Sequence, residues 1–329
     1  MKKLPILLSS SLLLGCASAP PTEQAAVPSE ETAYDFVQAV PDVPAADTEP
    51  RSQAGTVEKF FYQTQNYDGG NSSETKYAMV YLPYGYDSSK QYDILYLMHG
   101  HSGNAEDWLG SQEEPSEIKY CLDALIQDGM APMIAVSATY YDQNTDEETD
   151  NYDMDLTSAF VTEFTQDLMP QAESTYSTYA ASTDEAGLIA SRDHRMFGGF
   201  SMGAVTTWQI FLHAMRYVRY YYPASGSLYW SRQTSSISDI LASCVQDQGY
   251  DVSSFFVYMT TGSEDFAEPI AERQIDDMLQ LPDLYTFGEP SGTGVNCAYG
   301  ISEGEDHNYH GRLRDLHMIL PLFSRMIHS

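Results

Sequence analysis

Arg195-Met196-Phe197-Gly198-Gly199-Phe200-Ser201-Met202-Gly203 passes from a short apolar run into a serine flanked by glycines. Val205, Trp208, Leu212 and Met215 then recur on one face at helical spacing. The pattern predicts a strand over 195–200, a tight turn at Ser201 and a helix from Met202. Glycines on either side tolerate the crowded backbone of such a turn, and Oγ then projects above the sheet as a nucleophile.

The neighbouring segments supply a sheet for that turn. Residues 57–62 and 76–82 are rich in Val, Tyr and Phe and are separated by Asp68-Gly69-Gly70-Asn71, which reads as an antiparallel hairpin. Residues 94–98, 133–138, 196–200 and 255–260 are continuous apolar runs, as in strands buried on both faces of a parallel sheet. Helix-compatible stretches such as 161–169 and 206–215 lie between them, 295–301 reads as a last strand, and 313–327, with Pro321 inside, as a closing helix. The expected fold is α/β: a mostly parallel, doubly wound sheet opened by an antiparallel hairpin, with helices on both faces. Ligands of such sheets bind beyond the carboxyl ends of the strands.

Polar residues gather at those ends. His99-Gly100-His101-Ser102-Gly103 follows the 94–98 strand and reads as an oxyanion loop. A backbone N–H near His101, with that of Met202, would stabilise charge on a tetrahedral intermediate by roughly 3 kcal/mol per donor. A serine hydroxyl also needs a base oriented by a carboxylate. His307, after the acidic turn Glu303-Gly304-Glu305-Asp306, is the chosen base and His310 the alternative. Asp265, just past the 255–260 strand, is the chosen acid and Glu264 the reserve. The order Ser201, Asp265, His307 is that of α/β-hydrolases.

Composition bounds the remaining readings. Lys+Arg number 16 against 47 Asp+Glu, a formal net charge of -31, so nucleic acid would be repelled. Lys2, Lys3, the apolar run 4–14 and Leu13-Leu14-Gly15-Cys16 form an export signal over residues 1–15. An ordinary signal peptide cut near Ala19 is the alternative. Residues 16–54, with six prolines from Pro20 to Pro50, read as a disordered Pro/Ala/acidic tether, leaving 55–329 as one domain. Cys244 and Cys297 are the expected pair if a disulfide forms, although a fully reduced set is equally compatible. The 25 tyrosines give weak support to a carbohydrate or phenolic ligand. Residues 141–150 partly mimic a calcium loop, but Glu147 stands where its glycine is required, so a solvated loop rimming the site is expected. His99, His101, His307 and His310 lack metal-motif spacing, and neither metal nor organic cofactor is expected.

Several stretches carry a family resemblance. Val80-Tyr81-Leu82-Pro83-Tyr84-Gly85-Tyr86, Ile94-Leu95-Tyr96-Leu97-Met98-His99-Gly100 and Asp107-Trp108 resemble the N-terminal half of the esterase-D-like α/β-hydrolases. Residues 164–176, 198–203, 262–265 and the His307 loop continue the match. Within that superfamily the chain is most similar to the feruloyl and acetyl-xylan esterases of carbohydrate esterase family 1. Two departures are the His-Gly-His-Ser-Gly loop, where many relatives have Gly-Gly, and Gly-Glu-Asp-His, where relatives often have Gly-Gly-His. The signal resembles those of bacterial lipoproteins, which implies a lipid on Cys16 and anchoring at the cell surface or outer membrane; full secretion is the alternative. The resemblance implies a serine esterase removing feruloyl or acetyl groups from plant cell-wall polysaccharide. Alternatives are a hydrolase of another small ester (siderophore-type or acyl-transfer), or an inactive surface binding protein on the same scaffold.

Overall fold

A computed structural model describes residues 34–67, 69, 70, 72–141, 154–231 and 235–329. The expected signal, Cys16 and much of the tether fall in 1–33, and most of the acidic loop weighed against calcium falls in 142–153; both lie outside the described residues.

The strands are β1 (Val37–Ala39), β2 (Thr56–Gln65), β3 (Ser73–Leu82), β4 (Asp93–Met98), β5 (Met133–Ala138), β6 (Arg195–Phe200), β7 (Tyr220–Ala224), β8 (Phe256–Gly262) and β9 (Cys297–Ser302). The helices are α1 (Glu117–Gln127), α2 (Asp155–Glu163), α3 (Met169–Thr175), α4 (Glu185–Ala190), α5 (Met202–Ala214), α6 (Ile237–Asp247), α7 (Glu268–Leu279) and α8 (Tyr309–Ile327). Among the described residues they build one sheet of order β1-β9-β8-β7-β6-β4-β5-β3-β2. From β1 to β5 neighbours are parallel, and β3 and β2 add the expected antiparallel hairpin at the edge.

Burial on both faces explains the continuous apolar runs. Met196, Tyr220, Tyr222, Phe256 and Tyr258 share one core with Leu313, Leu316, Ile319, Leu320 and Phe323 of α8 and with residues of α1. Phe197, one residue on from Met196, instead meets Phe160 of α2 and Phe164. Each such side chain removed from water stabilises the fold by roughly 2–3 kcal/mol. The apolar face of α5 packs on β4, β6 and β7.

Two findings depart from the sequence reading. β7 lies at the centre of the sheet, yet contains Pro223, paired in register with Gly199. A proline cannot donate to a ladder, which masks a central strand in sequence; hydrogen bonding to β8 resumes where Ser225 N–H donates to Thr260 O, 2.8 Å. The expected tether boundary at 54 moves as well, because Asp35 onward belongs to the sheet's compact unit. β1 borrows its hydrogen bonds from the edge of β9, Phe36 stacks on Phe287 at 4.8 Å, and Val40 is buried, so a few apolar residues order a Pro-rich acidic stretch. Cys121, Cys244 and Cys297 are free thiols, one of the two outcomes that the sequence left open. The Cys244 thiol donates to Leu241 O within its own helix, 3.3 Å, and burial pushes its pKa up to about 12.

Asp315 of α8 is buried beneath the sheet and accepts hydrogen bonds from Tyr222 on β7 (2.9 Å), Thr260 on β8 (2.6 Å) and Ser302 on β9 (3.1 Å). Burial outweighs these bonds and raises its pKa to about 6. The native state therefore favours the protonated acid, and this contribution, full below pH about 4, is lost as pH rises through about 6. In urea unfolding, the stability advantage of wild type over Asp315→Asn should shrink by about 3 kcal/mol across that window. A pH-independent difference would contradict the assignment.

Candidate active site

Ser201 sits between β6 and α5 with φ 57° and ψ -115°, a left-handed backbone that costs a non-glycine residue of order 1–3 kcal/mol. Its neighbours leave no room for relaxation. A Cβ on Gly203 would lie 2.2 Å from Met98 O, and one on Gly199 would lie 2.3 Å from Gly203 O. The turn is held from the next strand, where Ala224 O accepts the Ser201 N–H at 2.9 Å. Met202 opens α5, so its N–H belongs to the helix's first turn, whose donors have no intrahelical partner.

Two further loops leave β8 and β9 and are laced together. Glu264 N–H donates to Glu305 O (2.9 Å), Ser263 N–H to Ser302 O (3.1 Å) and Gly304 N–H to Ser263 Oγ (2.9 Å). This approach requires Gly262, where a Cβ would stand 2.1 Å from Glu305 O. The lacing brings His307 Nδ1 to the Asp265 carboxylate, 2.9 Å from Oδ1 and 3.1 Å from Oδ2. Asp265 is buried, while Glu264, the reserve acid, is exposed. Burial alone would raise the Asp265 pKa, but hydrogen bonds from His307, Ser225 and the Ala267 N–H hold it below the ordinary carboxylate value. It is therefore an anion facing Nδ1–H, which leaves Nε2 as the proton acceptor. His310, the alternative base, is exposed and bonds Glu305 through Nδ1 at 2.6 Å.

The imidazole of His307 lies between two phenyl rings, Phe200 at 4.5 Å and Phe266 at 4.3 Å, with Trp230 edge-on at 6.3 Å. Phe266 is 66% exposed and forms a rim. On the other side of Ser201, a Cβ on Gly100 would stand 3.3 Å from Ser201 Cβ, so the loop carrying His101 abuts the serine. Gly103 N–H closes that loop onto Gly100 O, and Ser102 takes φ 60°. His99 is fully buried, bonding Gly100 O through Nδ1 (2.6 Å) and Thr139 Oγ1 through Nε2 (2.7 Å). Burial lowers its pKa to about 4, making it a neutral strut for the loop. The structure thus joins His307 to Asp265 and sets the His307 ring 4.5 Å from that of Phe200, the residue before Ser201. A hydrogen bond between Ser201 and His307 is not among those of the described residues; such bonds often tighten only with substrate in place.

A fold of this kind with this arrangement has relatives. The Esterase family model, described as "Putative esterase", matches residues 72–277. The chain belongs to the esterase family. A structure of a serine-to-alanine mutant of the feruloyl esterase module from Clostridium thermocellum, complexed with sinapinate, is 32% identical with a TM-score of 0.75, covering 88% of this chain and 95% of that one. Endo-1,4-beta-xylanase Y of Acetivibrio thermocellus is 35% identical over 280 residues, 84% of this chain; the chain spans 24% of that relative's length. A ferulic acid esterase of the anaerobic fungus Anaeromyces mucronatus shares the fold at TM-score 0.63 and 17% identity, covering 88% of this chain and 99% of that one. The expected resemblance to carbohydrate esterase family 1 stands, and serine esterase is the enzyme class of the family.

Sequence reasoning missed three parts of this esterase's site. Ser225, which supports Asp265, follows the strand hidden by Pro223 and has φ 52°. Phe266 and Trp230 meet His307 from loops without periodicity. Arg312 stacks between Trp108 (4.9 Å) and Phe200 (4.8 Å), and nothing local to its helix marks it. The Gly-Ser-Glu-Asp run that begins at Gly262, the last residue of β8, was visible, but the contact it serves was not. Gly262→Ala should part the two loops and break the His307–Asp265 bond. The measurement is the downfield imidazole Nδ1–H resonance, expected to disappear while the melting temperature falls only modestly; a retained resonance would refute the lacing.

Proposed function

We propose that this esterase removes feruloyl groups from plant cell-wall polysaccharide through an acyl-enzyme formed on Ser201. The observation that carries the reading is the buried Asp265 carboxylate bonded to His307 Nδ1 beside the strained Ser201 turn. Ser201 Oγ attacks the ester carbonyl carbon as His307 Nε2 takes its proton. The tetrahedral oxyanion is met by the N–H of Met202 and one near His101. Collapse breaks the ester bond, the sugar oxygen leaves with the proton from His307, and the acyl group stays on Ser201. Water then attacks the acyl carbon with His307 as base, releasing the acid and restoring the serine. Asp265 keeps the imidazole in the Nδ1–H tautomer and offsets its charge.

The substrate class is supported by the 95% coverage of a feruloyl esterase module complexed with sinapinate. It also fits the aromatic surroundings of His307, formed by Phe200, Phe266 and Trp230. Ser201→Ala should lower kcat on methyl ferulate by at least about 10³-fold and abolish fluorophosphonate labelling. Retention of most turnover would remove Ser201 from the mechanism. In wild type, kcat/KM on methyl ferulate should exceed that on acetylated xylan; the reverse order would reassign the acyl group to acetyl.

Location follows from the leader. Export and a lipid on Cys16 are supported by its charge and apolar pattern, and no helix among the described residues is long and apolar enough to cross a membrane. Cells expressing the full chain should retain activity in the membrane fraction, and Cys16→Ser should remove the labelled palmitate that marks the lipid. Unaltered labelling would place the modification elsewhere.

A further inference from the structure

The stretch before residue 55, although remote in sequence from every candidate site residue, is tied directly to the loop that carries His307. β1 pairs with β9, the strand from which that loop departs, with Val37 opposite Tyr299 and Ala39 opposite Ile301. Val40 N–H extends the ladder to Ile301 O at 2.9 Å, and a Cβ on Gly300 would stand 2.9 Å from the Val40 side chain. Beyond β1, the carbonyls of Val40 and Pro41 face a single side chain, Arg314 of α8.

Arg314 is 6% exposed, and its guanidinium joins three segments. Nη2 donates to Val40 O at 2.7 Å, and Nε to Pro41 O at 3.4 Å. Nη1 donates to Glu303 O at 3.0 Å and to Glu305 Oε1 at 3.2 Å. The remaining contact, Asp42 at 3.3 Å, involves an 87% exposed carboxylate and contributes little. Glu305 also accepts from Asn308 (3.2 Å) and His310 (2.6 Å), on both sides of the His307 loop's exit into α8. Its carbonyl is the acceptor that laces this loop to the Asp265 loop across Gly262. A planar fork can hold acceptors on two sides at fixed angles; an ammonium on a flexible stem cannot.

We propose that Arg314 is a positioning residue for the esterase: it clamps the loop bearing His307 between the N-terminal segment and α8, so that residues 37–41 form part of the catalytic unit. The inference rests on the proposed roles of Ser201, Asp265 and His307 and adds to them a residue that does not touch substrate.

The test compares wild type, Arg314→Lys, Glu305→Gln and Asp42→Ala of the full chain on methyl ferulate, with circular dichroism and melting as folding controls. Folded Arg314→Lys should lose at least about tenfold in kcat with KM within about threefold of wild type. Its fluorophosphonate labelling rate should fall by a similar factor. Glu305→Gln, which keeps the arginine and the backbone, should show the same split to a smaller extent, and covers the case in which the lysine variant does not fold. Asp42→Ala should match wild type. Folded Arg314→Lys with unaltered kcat and labelling, or losses in both variants carried by KM alone, would overturn the proposal. Failure of the esterase reading is distinguishable, since wild type itself would then neither turn over nor label.

Discussion

A left-handed backbone at Ser201 is the constraint around which the other parts are arranged. The turn costs energy, and it persists because backbone from β4, β7 and α5 closes on it with no space for side chains at Gly199 and Gly203. The central sheet sets that closeness: β4 and β7 flank β6 in register, so Met98 O presses on Gly203 while Ala224 O takes the Ser201 N–H. The same turn opens α5 directly at Met202, whose first-turn N–H groups have no intrahelical partner.

Polar chemistry then depends on two loops approaching within a distance that only glycine permits. Gly262 lets the backbone after β8 lie against Glu305, and this contact, with its accompanying hydrogen bonds, presents His307 to Asp265. The aromatic rings of Phe200 and Phe266 lie against the imidazole at 4.5 and 4.3 Å and contribute packing contacts to it. Beneath the site, Asp315 ties β7, β8 and β9 to the helix that follows the His307 loop, so packing of α8 and geometry of the loop are mechanically linked. In a close-packed interior such links transmit small displacements.

The strands of the parallel core were legible because burial on both faces demands continuous apolar runs, as in Ile94-Leu95-Tyr96-Leu97-Met98. β7 was not legible, because Pro223 signals the opposite of a central strand while its ladder tolerates the missing N–H. β1 was hidden for a different reason: three residues in a Pro-rich acidic stretch carry no periodicity, and their order comes from an edge supplied by β9. Whether Cys244 and Cys297 pair was left open by the sequence; in the fold one thiol turns into its own helix and the other is buried at the start of β9.

By itself the sequence determined the glycine-flanked strand–turn–helix at Ser201 and the α/β class, since each follows from local sterics or periodicity that neighbouring residues dictate. That Asp265 rather than Glu264 meets His307 rather than His310 was decided by tertiary structure, because each pair differs only in where its loop faces once two strands are aligned. The roles of Ser225, Phe266 and Arg314 were decided there too. Their contacts join segments from tens to hundreds of residues apart, and no local pattern encodes a distance set by the packing of the whole sheet.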